Sequence, residues 1–200
     1  MADTSFERMS SGAWYIAGSP ELKAAQRHAR LRLKEINDLG NLDAELAEEL
    51  LGEILAEGSG IPEVFAPIQI EFGRNTRFGE GCFINVGMTI LDICPVTVGD
   101  NVLFGPNCEL ITAEHPVDDV EARVAGWERG RPITIGDDCW FGSRVSVMPG
   151  VSVGDRCVVA AGTVITKDIP DDSLVMGVPG RVVRTLNQEG DALEREELDV

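Results

Sequence analysis

Between Ile133 and Thr166 the large apolar residues keep step at six: Ile135, Phe141, Val147, Val153, Val159 and Ile165. Gly136, Gly142, Gly154 or Ala160 follows four of them, and a smaller side chain stands two places before each, at Ile133, Cys139, Val145, Val151, Cys157 and Thr163. A helix repeats at about 3.6 residues and a strand at about two, so a period of six fits neither a helix nor a simple hairpin. Three sixes return a coil of three flat faces, one short strand per face, to the same angular position. The large residue of each hexad then points inward, and Asp137, Asp138, Arg144, Asp155 and Arg156 fall outside or at the corners. A single turn cannot bury its apolar face, so turns must stack and pair their strands in parallel.

The same ruler runs upstream through Phe72, Phe78, Ile84 and Ile90, and resumes at Val98, Phe104 and Leu110 after a slip of two at Cys94-Pro95. It breaks between Leu110 and Ile135, where the residues in excess mark one loop leaving the coil. Ahead of the coil, Ser19-Pro20-Glu21 reads as a helix start with cap, Pro and first-turn acid. Leu22, Ala25, Ala29, Leu33 and Ile36 form its stripe, and Gly40 ends it. A second helix opens at Asn41 or Asp43, carries Leu42, Leu46, Leu50 and Ile54, and stops near Gly58. Two such helices form a hairpin that leans on the first turns or on a neighbouring subunit. Residues 8–18 read as an irregular lead-in anchored by Met9, Trp14 and Tyr15. The expected division is 1–66 helical, 67–180 coil, and 181–200 an extension with an acidic tail.

The net charge of −17 argues against nonspecific nucleic-acid binding, which runs on Lys and Arg. Met1–Ser10 has no apolar core of a secretory signal and no run reaches the length of a membrane span, so the expectation is a cytoplasmic protein. Five cysteines with no CxxC pair argue against a disulfide framework. Cys82, Cys108, Cys139 and Cys157 stand two places before inward positions and are read as small core residues. Of the two histidines, His28 sits in the first helix beside Arg27 and Arg30 and reads as an ordinary helix residue. His115 sits where the ruler breaks, in Thr112-Ala113-Glu114-His115-Pro116. A neutral imidazole there has the chemistry to take a proton from a hydroxyl, and the pattern alone leaves an ordinary loop histidine equally open.

Several stretches are more specific: "V-G-D-N-V", "I-G-D-D-C-W-F-G", "P-G-V-S-V-G-D", "A-A-G-T-V-I-T-K-D-I-P" and "M-G-V-P-G-R-V-V-R". They resemble the hexapeptide-repeat acyltransferases. "L-D-I-C-P", "T-A-E-H-P-V" and "M-S-S-G-A-W-Y" narrow the resemblance to the maltose and galactoside O-acetyltransferase group, which includes the nodulation acetyltransferases. The resemblance spans about residues 8 to 186. It implies a mainly β chain, a left-handed parallel β-helix with a small amino-terminal helical hairpin, against the usual right-handed crossover preference. It also implies a homotrimer with each site between two chains.

The resemblance further implies acetyl-CoA as acetyl donor, no permanently bound cofactor and no metal. His115 would be the general base, attacking the thioester through the substrate oxygen with no acyl-enzyme. Asn85 would lie beside the acceptor and His115; the alternative for Asn85 is a corner residue with left-handed dihedrals. A backbone N–H near Gly142-Ser143 would face the oxyanion. Ser143, Ala161 and Gly162, with Gly142, map to the edge along which the CoA arm runs, and Trp140 to its groove, with a subunit contact as the alternative for Trp140. Thr166, Lys167, Arg181 and Arg184 would meet the phosphates. Glu71 and Asp92 are the candidates for sugar hydroxyls. Galactoside-type members carry an acid in the lead-in and another after Asp92; here Ala17 and Ile93 stand there, so a glucose- or maltose-like acceptor is the expectation. The rivals are a non-sugar hydroxyl acceptor and a non-catalytic trimeric coil.

Overall fold

The computed structural model describes residues 4–188. Three parallel sheets wrap one core. The seven-stranded sheet stacks Glu63–Val64, Phe83–Ile84, Leu103–Phe104, Trp140–Phe141, Val158–Val159 and Ser173–Met176 in parallel, and Arg181–Thr185 closes it antiparallel. The five-stranded sheet stacks Gln69–Ile70, Thr89–Leu91, Glu109–Ile111, Ser146–Val147 and Val164–Ile165. The four-stranded sheet stacks Thr76–Arg77, Val96–Val98, Ile133–Ile135 and Ser152–Val153. The chain visits the three in turn, which is the parallel β-helix expected from the hexads. Every inward hexad position from Ile135 to Ile165 is at most 2% exposed, and Phe104 and Phe141 of adjacent turns stack at 4.9 Å.

Each turn has three corners. The first joins the seven- to the five-stranded sheet, the second the five- to the four-stranded, and the third the four- to the seven-stranded. At the third corner an aspartate of each turn accepts a backbone N–H of the turn before. Asp100 Oδ1 takes Glu80 N–H at 2.8 Å, Asp137 Oδ1 takes Asp100 N–H at 2.8 Å, Asp155 Oδ1 takes Asp137 N–H at 2.9 Å, and Asp171 Oδ1 takes Asp155 N–H at 3.0 Å. This explains the glycine before each donating amide, at Gly79, Gly99, Gly136 and Gly154: a Cβ on Gly136 would stand 2.1 Å from Asp155 Oδ1, and one on Gly99 2.1 Å from Asp137 Oδ1. Asn101, Asp138, Arg156 and Asp172, each next after its ladder aspartate, take positive φ.

Three helices precede the coil. α1 (Ser5–Ser10) occupies part of the expected irregular lead-in; Thr4 and Glu7 close a capping box on it. α2 (Pro20–Leu39) starts on the Ser19 cap as expected and buries Leu22, Ala29, Leu33 and Ile36. α3 (Ala44–Ile54) is capped by Asp43 but buries Ala47, Leu50, Leu51 and Ile54, while Leu42, expected in its stripe, lies before the helix and is 88% exposed. The α2–α3 hairpin covers the open end of the coil: Leu33, Ile36, Leu50 and Ile54 join the core of Val64, Ile68, Ile70 and Phe78. Two amides fix the seam. Asn37 donates to Ile68 O and accepts from Ile68 N, and Asn41 does the same at Ala66, at 2.8–3.0 Å.

Phe72 falls on the ruler of six yet packs elsewhere, with Met9, Tyr15, Leu22 and Ile93. The inward residue of that turn is Ile70, paired with Ile90, so the ruler slips here as it does at Cys94-Pro95. All five cysteines are buried and free. Past Gln188 the expected acidic tail lies outside the described residues. No helix among the described residues is long and apolar enough to cross a membrane.

Candidate functional site

The excursion between Leu110 and Ile135 is a hairpin. Ala113–Glu114 pairs antiparallel with Trp127–Gly130, and α4 (Val120–Val124), ended by Gly126 at φ +84°, fills the turn. Its far edge is the lead-in: Tyr15–Ile16 pairs with the same strand, Tyr15 opposite Glu128 and Ile16 opposite Trp127. Cys94 pins the three pieces. Its thiol lies 3.4 Å from Ser10 O, and a Cβ on Gly130 would come within 2.7 Å of its sulfur.

The register decides which side chains meet. Glu114 pairs with Arg129, so the next step places His115 opposite Glu128, and Tyr15 opposite Glu128 on the other side. Side chains of one cross-strand row share a face. The row is therefore Tyr15, Glu128, His115. The Tyr15 hydroxyl donates to Glu128 Oε1, and Glu128 Oε2 lies 3.7 Å from His115 Nε2. His115 Nδ1 lies 3.1 Å from Trp127 O. A carbonyl only accepts, so Nδ1 carries the hydrogen that faces it, and in the neutral ring the lone pair is the one on Nε2. The His115 side chain is 55% exposed and that of Glu128 15%. Burial and the Glu128 charge raise the Tyr15 phenol far above its ordinary range, so it stays a donor.

On the opposite face Glu114 holds Arg129 at 3.2 Å and Arg131 at 2.5 Å, and the Arg129 guanidinium stands 4.8 Å from the Trp14 ring centre. Those ion pairs tie the hairpin together and leave the Tyr15–Glu128–His115 row to the other face.

The candidate acceptor acids part company. Glu71 is half-buried; Gln26 on α2 donates to its Oε1 at 2.8 Å, leaving Oε2 without a hydrogen-bond donor among the described residues. Burial raises the Glu71 carboxyl, the Gln26 bond lowers it in part, and the Glu128 charge raises it again. Asp92 is 0% exposed. Its oxygens accept from Phe72 N–H at 2.8 Å and from the Thr76 hydroxyl at 3.0 Å. Both are committed inside the turn, so the expectation that Asp92 touches an acceptor is corrected: it ties the second corner. Ile93, beside it, packs under the lead-in with Tyr15 and Met9, and Ala17 is exposed.

Asn85 stands elsewhere. It follows Phe83–Ile84 at the first corner, with Gly142, Ser143, Ala161 and Gly162 of later turns, whereas Glu71, Asp92 and His115 lie at the second. Within one chain Asn85 and His115 are not brought together. Asn85 is absent from the residues of positive φ, so left-handed backbone does not account for it; its Oδ1 accepts from Val86 N–H at 2.9 Å. At this corner Gly105 packs closely on the next turn: a Cβ there would stand 2.8 Å from Ser143 N.

Trp140 is 54% exposed on the outer face of the seven-stranded sheet, between Leu103 and Val158. Thr166 and Lys167 turn the second corner of a later turn, and the Gly180 amide donates to Val164 O at 2.7 Å, which brings Arg181 to the same end. Among the described residues the Arg181 and Arg184 guanidiniums reach only main-chain oxygens, at 2.7 and 3.2 Å. The sequence reading missed Glu128. The register that aims it at His115 crosses three segments, and only "W-E-R-G-R-P" in the broken stretch marks the place.

The comparisons with known proteins agree with this fold. The family described as "Maltose acetyltransferase hexapeptide capping motif" matches residues 8–58, and "Hexapeptide repeat of succinyl-transferase" matches 95–117 and 132–167. The galactoside O-acetyltransferase of Escherichia coli is 36% identical over 90% of this chain and 89% of its own. A maltose O-acetyltransferase structure from Clostridium difficile superposes with TM-score 0.87 at 33% identity, covering 94% of this chain and all of that one. A hexapeptide-repeat acetyltransferase from Vibrio cholerae, solved with acetyl-CoA, superposes with TM-score 0.83 at 35% identity over 92% of this chain and 100% of that one.

Proposed function

Because the chain belongs to the maltose and galactoside O-acetyltransferase group of hexapeptide-repeat acyltransferases, we propose that it transfers an acetyl group from acetyl-CoA to a hydroxyl of a glucose- or maltose-like sugar, with His115 as general base. One observation carries the reading: the Trp127 carbonyl fixes the proton on Nδ1 and leaves Nε2 open on an exposed ring. Nε2 takes the hydroxyl proton as the sugar oxygen attacks the thioester carbon. The oxyanion faces a backbone N–H near Gly142-Ser143. As the carbon–sulfur bond breaks, the imidazolium returns the proton to the CoA sulfur. Glu128, 3.7 Å from Nε2, offsets the positive charge that the ring carries in between.

Acetyl-CoA lies, in this reading, along the first corner, past Trp140, Gly142, Ser143, Ala161 and Gly162. Its phosphates meet the Thr166 hydroxyl and Lys167, Arg181 and Arg184, three cations free of carboxylate partners among the described residues. Glu71 accepts from a sugar hydroxyl through Oε2. The separation of Asn85 from His115 supports a homotrimer in which the first corner of one chain meets the second corner of the next. Exposed Leu103 and Trp140 give that contact an apolar face.

The test is release of free thiol from acetyl-CoA across sugars and other alcohols. Release with glucose or maltose supports the reading. Release only with non-sugar alcohols removes the sugar, and none with any acceptor removes the enzyme reading. Mixing inactive Asn85→Ala and His115→Ala protomers should restore part of the activity; no recovery after subunit exchange places the site within one chain.

A further inference from the structure

We infer that Tyr15 is a positioning residue for the transfer, acting on His115 through Glu128 and thereby tying the amino-terminal lead-in to the base. The inference rests on the reading of His115 as general base and adds to it the group that aims the neighbouring charge.

A carboxylate 3.7 Å from Nε2 is useful only if its oxygen stays on that side of the ring. Glu128 belongs to a strand with partners on both edges, so its backbone is fixed, but its carboxyl group turns about its last bond. Among the described residues the Tyr15 hydroxyl is the one side-chain donor hydrogen-bonded to it. That bond holds Oε1 and so directs Oε2 at His115. Tyr15 is itself immobile: it is 5% exposed and packed with Met9, Leu22, Phe72 and Ile93. Its hydroxyl reaches out of this apolar cluster to the single acid opposite it in the row. The phenol cannot ionise in the working range, since burial and Glu128 both raise it, so the donor never becomes a competing anion.

The lead-in also binds through its main chain, by the pairing of Tyr15–Ile16 with Trp127–Glu128 and by Ala17 N–H on Gly126 O at 3.4 Å. Those bonds hold the strand whatever side chain stands at 15. The hydroxyl is therefore separable from the fold, and a phenylalanine keeps the ring while removing only the donor.

A double-mutant cycle with Tyr15→Phe and Glu128→Gln tests this in the full-length enzyme. Each single variant should lower kcat about tenfold, the worth of one hydrogen bond to a charged group, with KM for acetyl-CoA unmoved. The double variant should be no slower than Glu128→Gln alone, because Tyr15 acts only through that acid. If Tyr15→Phe turns over like wild type, or if the two losses multiply, the inference is overturned. A Glu128→Gln variant with full activity overturns it from the other end. Failure of the underlying reading looks different: His115→Ala would then retain turnover, whatever the cycle gives.

Discussion

The second and third corners of the coil are built from the same hexads and held by opposite means. At the third corner one contact repeats, an aspartate oxygen on the amide of the turn before, four times over between Asp100 and Asp171. At the second corner the contacts vary from turn to turn: Thr112 Oγ1 takes Cys94 N–H and Asp168 Oδ1 takes Ser152 N–H. Asp92 bonds Phe72 and Thr76, Cys94 backs the lead-in and the hairpin, and the Tyr15–Glu128–His115 row occurs once. Repetition gives a frame that tolerates the loss of no glycine but needs no particular partner. Single contacts give a place where side chains unlike their neighbours gather, and the groups suited to acyl transfer collect there.

The contrast is sharpest in a base substitution. His115→Ala should lower kcat by roughly 10²- to 10⁴-fold while changing stability by no more than about 0.5 kcal/mol, as expected for an exposed side chain. Thiol release and urea unfolding on the same preparation read both. A variant that loses stability along with activity would break the division between frame and chemistry.

Glycines of the frame come next. Gly136→Ala drives a Cβ to 2.1 Å from Asp155 Oδ1 and should destabilise by about 2–3 kcal/mol. Gly162→Ala, at φ +74° with nothing within 4 Å of the added carbon, should lose only about 1 kcal/mol for its dihedral. Equal unfolding midpoints for the two would mean that the aspartate ladder yields freely.

The buried aspartate of the second corner shows itself by pH. Burial raises the Asp92 carboxyl from 3.8 to about 7, so the folded chain keeps a proton that the unfolded chain has released. Its contribution to stability is complete below the unfolded value and is lost as pH rises through the folded one. Asp92→Asn should therefore gain on wild type steadily between about pH 4 and 7, by up to ~1.4 kcal/mol per unit. Urea midpoints across that range decide it; a flat difference for Asp92 would mean that it ionises alike in both states.

The frame was legible in the chain because a period survives averaging. Ile135 to Ile165 pointed inward as counted, and Ser19-Pro20-Glu21 started α2. Phe72 was misread since an apolar residue at six happened to coincide with a slip, and only the pairing of Ile70 with Ile90 reveals it. Thr4 and Glu7 spelled a capping box whose helix is too short to show a stripe. His115 could be found as the histidine in the break. Glu128 and Tyr15 could not be joined to it, because their meeting depends on the register among three segments separated by 113 residues of sequence. Asp92 looked like a polar candidate because burial leaves no mark on a single residue's letter.

The aspartate ladder has a direction, since every rung hands its oxygen backward and its amide forward. Such a frame counts in whole turns. A detour is invisible to it provided the chain leaves and rejoins at one corner, and the hairpin does so: Leu103 and Phe104 face Trp140 and Phe141 in unbroken register across it. New chemistry can thus be written into a detour, lengthened or exchanged, with no change of phase in the turns on either side.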